Sequence, residues 1–271
     1  MPIITLYQGA SVSGQELAET VAAALGYRAV GREVLLSASQ RYGIPEAKLN
    51  EIVDRGPHWW ERLLRDLRPY RITLQAALCE AARDGKIVYH GHLGHELLHG
   101  IGHVLRVLLT APMEFRVQQV CTREKLDEAA ARRYIEETDK ARSRRLMAMF
   151  GVDWRDSDRY DLVINMGKVG IVSAKRLILE AAKLDEYQPT PASNQAFQDL
   201  ALTSLVHATL IASPNIRGTV LEVRAQGGHV EVKGRIDHEA LEEQLINLVE
   251  KIPGVVKVTT NLYVLPPFQE P

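Results

Sequence analysis

Short apolar runs alternate with amphipathic segments over the first 183 residues of the chain. Apolar runs at 3–6, 87–89, 104–109 and 161–164, together with a short one within 26–33, have the length and composition of buried strands. Segments with apolar residues at helical spacing lie between them, and the clearest are 17–25, 72–83, 122–149 and 173–183. Strands that alternate with helices predict an α/β fold, with a parallel sheet covered by helices on both faces.

The pattern changes after residue 183. Residues 184–195 are polar and contain two prolines without an apolar period, which indicates a linker. A helix is then expected over 197–210, a hairpin around the Gly227-Gly228 turn, a helix over 238–251 and a last strand over 255–264. The sequence therefore predicts a domain at 1–183, a linker at 184–195 and a small α/β domain at 196–271.

Composition narrows the class of protein. Lys and Arg total 33 against 34 Asp and Glu, so the overall charge does not favour a nucleic-acid partner. The two cysteines, Cys79 and Cys121, lie far apart and are expected to be free thiols in a reducing compartment. No apolar run approaches the roughly 18 residues of a membrane span. A cytoplasmic protein is expected, with any membrane contact peripheral.

The turn after the first apolar run is the candidate anion site. Gly9 and Gly14 have the spacing of a phosphate-binding loop, and the residues between them include Ser11 and Ser13. Backbone N–H groups at the start of the following helix attract phosphate. However, Gln15 stands where such loops have Lys, and Glu16 where they have Ser or Thr. A plain structural connection between strand and helix remains the alternative.

A basic cluster in the helical region 122–149 is a second candidate for phosphate contact. Most of its arginines have a carboxylate three or four residues away, which is typical of a solvated helix face. The group Lys140, Arg142, Arg144 and Arg145 differs, because no acidic residue follows Asp139 there.

Five of the nine histidines lie within 90–103, where His95, Glu96 and His99 form an H-E-x-x-H motif. On a helix this spacing places two imidazoles on one face around zinc, as in metalloproteases. The glycines of this stretch disfavour a rigid helix, and Leu105 occupies the position of a third histidine. A metal site at His95 and His99 and uncoordinated loop histidines both remain open.

Several motifs in the first 183 residues resemble the cytidylate kinase-like family of P-loop nucleoside monophosphate kinases. These are the loop 9–18, Arg32-Glu33, Gly91-His92, the A-P-x-E-x-R segment Ala111-Pro112-Met113-Glu114-Phe115-Arg116 and the T-D-K-x-R segment Thr138-Asp139-Lys140-Ala141-Arg142. The last 70 residues resemble a BON domain, a module associated with phospholipid surfaces, through Val230-x-Val232-x-Gly234 and Pro253-Gly254-Val255-x-x-Val258.

The resemblance implies a P-loop NTPase fold and phosphoryl transfer from ATP, with Mg²⁺, to a nucleoside monophosphate such as CMP. The loop from Gly9 to Gln15 would wrap the donor phosphates. Arg32 and His92 would meet nucleotide, with His92 standing where the family has Arg. The remaining roles fall to arginines: Arg116 near the donor site, and Arg142 with Arg144 or Arg145 closing over the transferring group.

Two functions follow from these motifs and their departures. The first is an enzyme that phosphorylates a CMP-like acceptor, slowed by the loss of the loop cation at Gln15. The second is a degenerate kinase fold that senses nucleotide and docks on lipid or on a protein partner through its BON module. Backbone N–H groups supply much of phosphate binding, so binding survives in both.

Overall fold

The computed structural model of the chain describes residues 1–10, 12, 14–45, 67–91, 93–216 and 220–264. In the first part of the chain the strands are β1 (Ile3–Gln8), β2 (Arg28–Val30), β3 (Ile87–His90), β4 (Val104–Thr110) and β5 (Leu162–Asn165). The helices are α1 (Gly14–Leu25), α2 (Glu33–Tyr42), α3 (Arg68–Ala81), α4 (Gly94–Leu97), α5 (Met113–Glu124), α6 (Glu128–Phe150) and α7 (Ile171–Ala181). The fold class predicted from the apolar pattern is confirmed.

The five strands form one parallel sheet in the order β2-β3-β1-β4-β5. β1 lies at its centre, where Leu6 is paired with His90 of β3 on one side and Val107 of β4 on the other. Parallel strands end at the same edge of a sheet, and ligands bind outside that edge. The loop after β1 and the residue that ends β3 therefore share the carboxyl edge.

Alternate side chains of β1 enter different cores. Ile3 and Tyr7 belong to a core with α2, α3 and α8, whereas Ile4 and Leu6 belong to a core with α1 and α7. Both faces are buried, as the continuous apolar runs predict for a parallel sheet with helices on both sides.

The C-terminal part contains α8 (Pro191–Ala212), β6 (Val220–Gln226), β7 (His229–Ile236), α9 (Ala240–Glu250) and β8 (Lys257–Val264). β7 lies between β6, which is antiparallel to it, and β8, which is parallel to it. The hairpin turn falls at Gly227 and Gly228, with φ values of 55° and 83°, as the Gly-Gly pair predicts. Gly234 is required as well, because a Cβ there would overlap the Val220 carbonyl.

Two element boundaries differ from the sequence-based prediction. The helical region 122–149 is divided between α5 and α6, because Lys125 takes a left-handed conformation (φ 56°) and Asp127 caps α6 by accepting from the Ala130 N–H at 2.8 Å. The strand predicted over 161–164 as a core strand is β5 at the sheet edge, with Val163 exposed.

Helix α8 begins at Pro191 rather than at Phe197, so residues 191–195 of the predicted linker form its first turn. Thr190 and Ser193 make a capping box that starts the helix. Phe197 and Ala208 pack into the core of the parallel sheet, whereas Val206 and Leu210 pack into the C-terminal core. One helix is therefore shared by both cores.

Replacing Phe197 with Ala tests this shared packing. Phe197 is 7% exposed within the parallel-sheet core. The cavity left by Phe197→Ala is expected to lower the free energy of unfolding by about 3–5 kcal/mol, measured by urea denaturation. Val172→Ala, at a side chain that is 78% exposed, is the control and should stay within about 0.5 kcal/mol. A Phe197→Ala change as small as the control's would contradict the shared core.

Candidate functional site: the loop after β1 and the arginines beneath it

A buried ion pair holds the start of the candidate phosphate loop. Arg116 donates from Nη2 to Asp139 Oδ2 at 2.7 Å, and both side chains are less than one-tenth exposed. The same two residues also bind the backbone of Ala10. Its N–H donates to Asp139 Oδ1 at 3.1 Å, and its carbonyl accepts from Arg116 Nε at 2.8 Å. We call this arrangement the Ala10 clasp.

Arg142 lies on the other side of Gly9 from the Ala10 clasp. It donates from Nη1 to the Gln8 carbonyl at 2.9 Å, and burial lowers its pKa. Arg145 is buried as well, whereas Arg144 is exposed. Of the three arginines that the resemblance assigns to the transferring group, Arg142 therefore contacts the loop backbone and Arg144 faces solvent.

Gln15, in the first turn of α1, is exposed and donates to Glu19 Oε1 at 2.9 Å. The loop closes just before it, where Gly14 donates its N–H to the Val12 carbonyl at 2.8 Å. Gly14 has no room for a side chain, because a Cβ there would overlap the carboxamide of Gln8. The Gln8 Oε1 atom is buried and has no hydrogen-bond partner among the described residues. A polar atom inside the loop is therefore left for a ligand or water.

The other predicted contacts are less closely grouped. Arg32 is exposed at the start of α2, after β2, which is two strands away from β1 in the sheet. Ser11, Ser13 and His92 lie outside the described residues. The structure thus brings together Gly9, Gly14, Arg116 and Arg142, with Gln15 at the rim, and places Arg32 apart from them.

The H-E-x-x-H motif does not form a two-histidine helix face. Helix α4 ends at Leu97, so His99 lies beyond it and is exposed, while His95 is 1% exposed. The separation of the two imidazoles corrects the zinc interpretation of His95 and His99. Among the described residues, no three His, Cys, Asp or Glu side chains are placed to hold a metal ion.

His95 instead belongs to a buried aromatic cluster beneath the loop. Its ring stacks on Tyr160 at 4.8 Å and meets Tyr7 edge-on at 4.9 Å, and Nε2 is 3.2 Å from the Tyr160 hydroxyl. Burial lowers the pKa of His95 to about 4. The neighbouring Glu96 carboxylate accepts two hydrogen bonds of 2.5 Å from Arg159, which fixes the turn after β3.

Sequence reasoning assigned no site role to Asp139 or Trp154. Asp139 lies within the T-D-K-x-R motif, so the signal was present but pointed to the arginine. Trp154 comes from the loop after α6, is 5% exposed, and lies 5.5 Å from the Tyr7 ring. A lone tryptophan in a loop carries no periodic signal that would place it beside Gly9.

Replacing Asp139 with Asn tests the Ala10 clasp. The change leaves the Arg116 guanidinium buried without its carboxylate, which is expected to cost about 3–5 kcal/mol of stability in urea denaturation. The matched control is Glu114→Gln, which breaks the exposed Arg132–Glu114 pair and should leave the midpoint unchanged. Equal, small effects of both variants would show that the clasp is not a stabilising contact.

The lowered pKa of His95 predicts acid sensitivity. An unfolded histidine titrates near 6.5 and the folded one near 4, so the unfolded state binds more protons between these values. This stability contribution is complete above pH ~6.5 and lost as the pH falls towards 4. Between about pH 7.5 and pH 5 the loss attributable to His95 is about 2 kcal/mol. Urea midpoints of His95→Gln and His95→Phe should fall less over this interval than those of the unmodified protein; parallel declines would contradict the assignment.

Comparison with known proteins gives the family. Residues 3–168 match the model of the cytidylate kinase-like family, and residues 198–266 match that of the BON domain. Cytidylate kinase of Ignicoccus hospitalis is 28% identical over 182 residues, which cover 65% of this chain and 99% of that one. Cytidylate kinase of Methanopyrus kandleri is 35% identical over 97 residues, or 33% of this chain, and the match spans half of that protein's length.

A solved structure supports the fold. An uncharacterized protein from Eubacterium ventriosum superimposes with a TM-score of 0.53 at 20% identity, covering 67% of this chain and 97% of that one. Within the described part of the chain, no helix has the length and apolarity needed to cross a bilayer. The family match spans more than half of the 271 residues and includes the loop, the Ala10 clasp and Arg142. The chain therefore belongs to the cytidylate kinase-like family and carries a BON domain after its kinase-like domain.

Proposed function

We propose that the kinase-like domain binds a nucleoside phosphate at the loop after β1 and transfers phosphate from ATP to a CMP-like acceptor only slowly. The observation that carries this proposal is the pair of hydrogen bonds from Arg116 to the Ala10 carbonyl and from Arg142 to the Gln8 carbonyl. Two guanidiniums lie beneath the loop on either side of Gly9, and they supply positive potential where the family's movable cation is replaced by Gln15.

The buried charges beneath the loop favour an anion. Asp139 balances Arg116, but the printed partner of Arg142 is a neutral carbonyl, and burial lowers its pKa. Burial of a cation without a carboxylate is unfavourable, and a bound phosphate relieves it. The unpaired Gln8 Oε1 adds a polar group inside the loop for a ligand to meet. These features support nucleotide binding through loop amides and fixed guanidiniums.

The same arrangement disfavours rapid transfer. Gln15 is held by Glu19 and carries no charge that follows the phosphoryl group. Glu16 replaces the Mg²⁺-binding hydroxyl residue of the loop; its exposed carboxylate is an acceptable oxygen ligand for Mg²⁺, which would neutralise phosphate charge. Loss of one preorganised charge costs a factor of roughly 10²–10³ in rate by analogy with oxyanion sites.

The regulatory alternative is favoured by the shared helix α8, which packs into both cores. In this version, nucleotide binding changes how the BON domain contacts a lipid surface or a protein partner at the membrane periphery. The kinase-like domain then needs to bind nucleotide without turning it over. A single measurement separates the two versions.

Purified protein with ATP, Mg²⁺ and a panel of nucleoside monophosphates is assayed for ADP release, and binding of each nucleotide is measured by calorimetry. We expect binding with slow turnover. Turnover at the rates of ordinary kinases, about 1–100 s⁻¹, would contradict the slow-transfer proposal. Binding without any turnover would favour the regulatory version, and flat calorimetry with every nucleotide would overturn both.

Gln15→Lys restores the family's loop cation. It is expected to raise turnover or nucleotide affinity by roughly tenfold to 10²-fold, because the ammonium reaches the phosphates. The matched control is Gln195→Lys. Gln195 also donates to an acid one helical turn later, Asp199, at 2.9 Å, but lies on α8 away from the loop. No effect of Gln15→Lys, or an equal effect of the control, would argue that the loop holds no phosphate.

A further inference from the structure

The carbonyl of Leu221, at the start of β6 in the BON domain, receives two side chains from outside its own sheet. Arg68 of α3 donates from Nη2 to this oxygen at 2.7 Å. His207 of α8 also hydrogen-bonds the Leu221 backbone. Leu221 is buried, and Arg68 and His207 are partly buried. The three residues join the kinase-like domain, the shared helix and the BON sheet at one point, which we call the Leu221 junction.

The rest of the β6 edge is covered by α8. The Ala225 N–H donates to Thr203 Oγ1 at 2.9 Å, and the Gly227 N–H donates to Asp199 Oδ1 at 2.8 Å. On its other side α8 contacts α3, where Ser204 hydrogen-bonds the buried Cys79 thiol. The BON sheet is therefore docked against the kinase-like domain through α8 and Arg68.

Helix α3 continues this contact toward the nucleotide site. Arg71, one turn after Arg68, donates to the Met149 carbonyl at 3.3 Å, and its guanidinium lies 5.9 Å from the centre of the Phe150 ring. Met149 and Phe150 end α6, the helix that also carries Asp139 and Arg142. A continuous set of contacts thus runs from Leu221 through α3 and α6 to the loop after β1.

We propose that the Leu221 junction couples the BON domain to the nucleotide site, so that releasing β6 from Arg68 weakens nucleotide binding at the loop after β1. The coupling rests on the proposed function, because it regulates the same site. By thermodynamic reciprocity, a partner that pulls β6 away from Arg68 lowers nucleotide affinity by the factor by which nucleotide opposes that partner.

The first measurement asks whether Arg68 holds the junction, and it needs no nucleotide. His207 faces two cations, Arg68 and Arg71; together with burial, which is the larger cause, they lower its pKa to about 4. An NMR titration of full-length Arg68→Gln should show the pKa of His207 moving upward from this value, because one repelling cation is gone. An unchanged His207 titration in a folded variant would overturn the junction.

The second measurement asks whether the junction reaches the loop. Calorimetry with ATP and CMP should show affinity falling by roughly threefold to tenfold in Arg68→Gln and in Arg71→Gln. The double variant should lose less than the product of the two factors, because both changes interrupt one set of contacts. Arg68→Lys keeps a cation and a donor and should recover most of the affinity. The control is Arg41→Gln, which removes the exposed Arg41–Glu80 pair elsewhere on α3 and should change affinity by less than twofold.

The outcomes separate the coupling from the proposed function. Failure of the unmodified protein to bind any nucleotide contradicts the proposed function, while the His207 titration still judges the junction. Normal nucleotide binding that stays within twofold in Arg68→Gln, despite a shifted His207 pKa, contradicts the coupling alone. A loss of affinity in Arg68→Gln as large as that in the control would do the same.

Discussion

The structure depends on the Ala10 clasp more than on any feature of the loop sequence itself. Asp139 and Arg116 neutralise each other in a buried position and use their remaining polar atoms on the N–H and the carbonyl of one residue. A loop that starts at the centre of a parallel sheet is thereby fixed by segments more than 100 residues further along the chain. Since neither charge is stable in this environment without the other, the loop, α5 and α6 are held together as one unit.

The strands were predictable because burial on both faces of a parallel sheet demands continuous apolar runs, as at Ile3–Gln8 and Val104–Thr110. The Ala10 clasp was not, because a charged residue on a polar helix reads as solvated. Helix α6 buries Asp139 and Arg145 despite its charged composition. Local periodicity reports which side chains are apolar, whereas these charges are buried by partners that are distant in sequence.

Two further differences have the same origin. The spacing of His95 and His99 carries meaning only on a helix that continues past the second histidine, and α4 ends at Leu97, three residues before Gly100 adopts a φ of 85°. The start of α8 was placed too late, because its first turn is polar and held by the Thr190 capping box. In both cases the end of a helix, set by capping and glycine conformation, decided the outcome rather than the motif within it.

The replacement of a movable cation by fixed ones explains why binding and turnover separate in this chain. A lysine at position 15 would follow the phosphoryl group and interact more strongly as charge shifts in the transition state. Arg116 and Arg142 are held by the carbonyls of Ala10 and Gln8, so their fields act on the ground state and the transition state about equally. Uniform stabilisation of this kind lowers the dissociation constant without lowering the barrier. A site built in this way retains nucleotide and becomes suited to reporting its presence through α6 and α3.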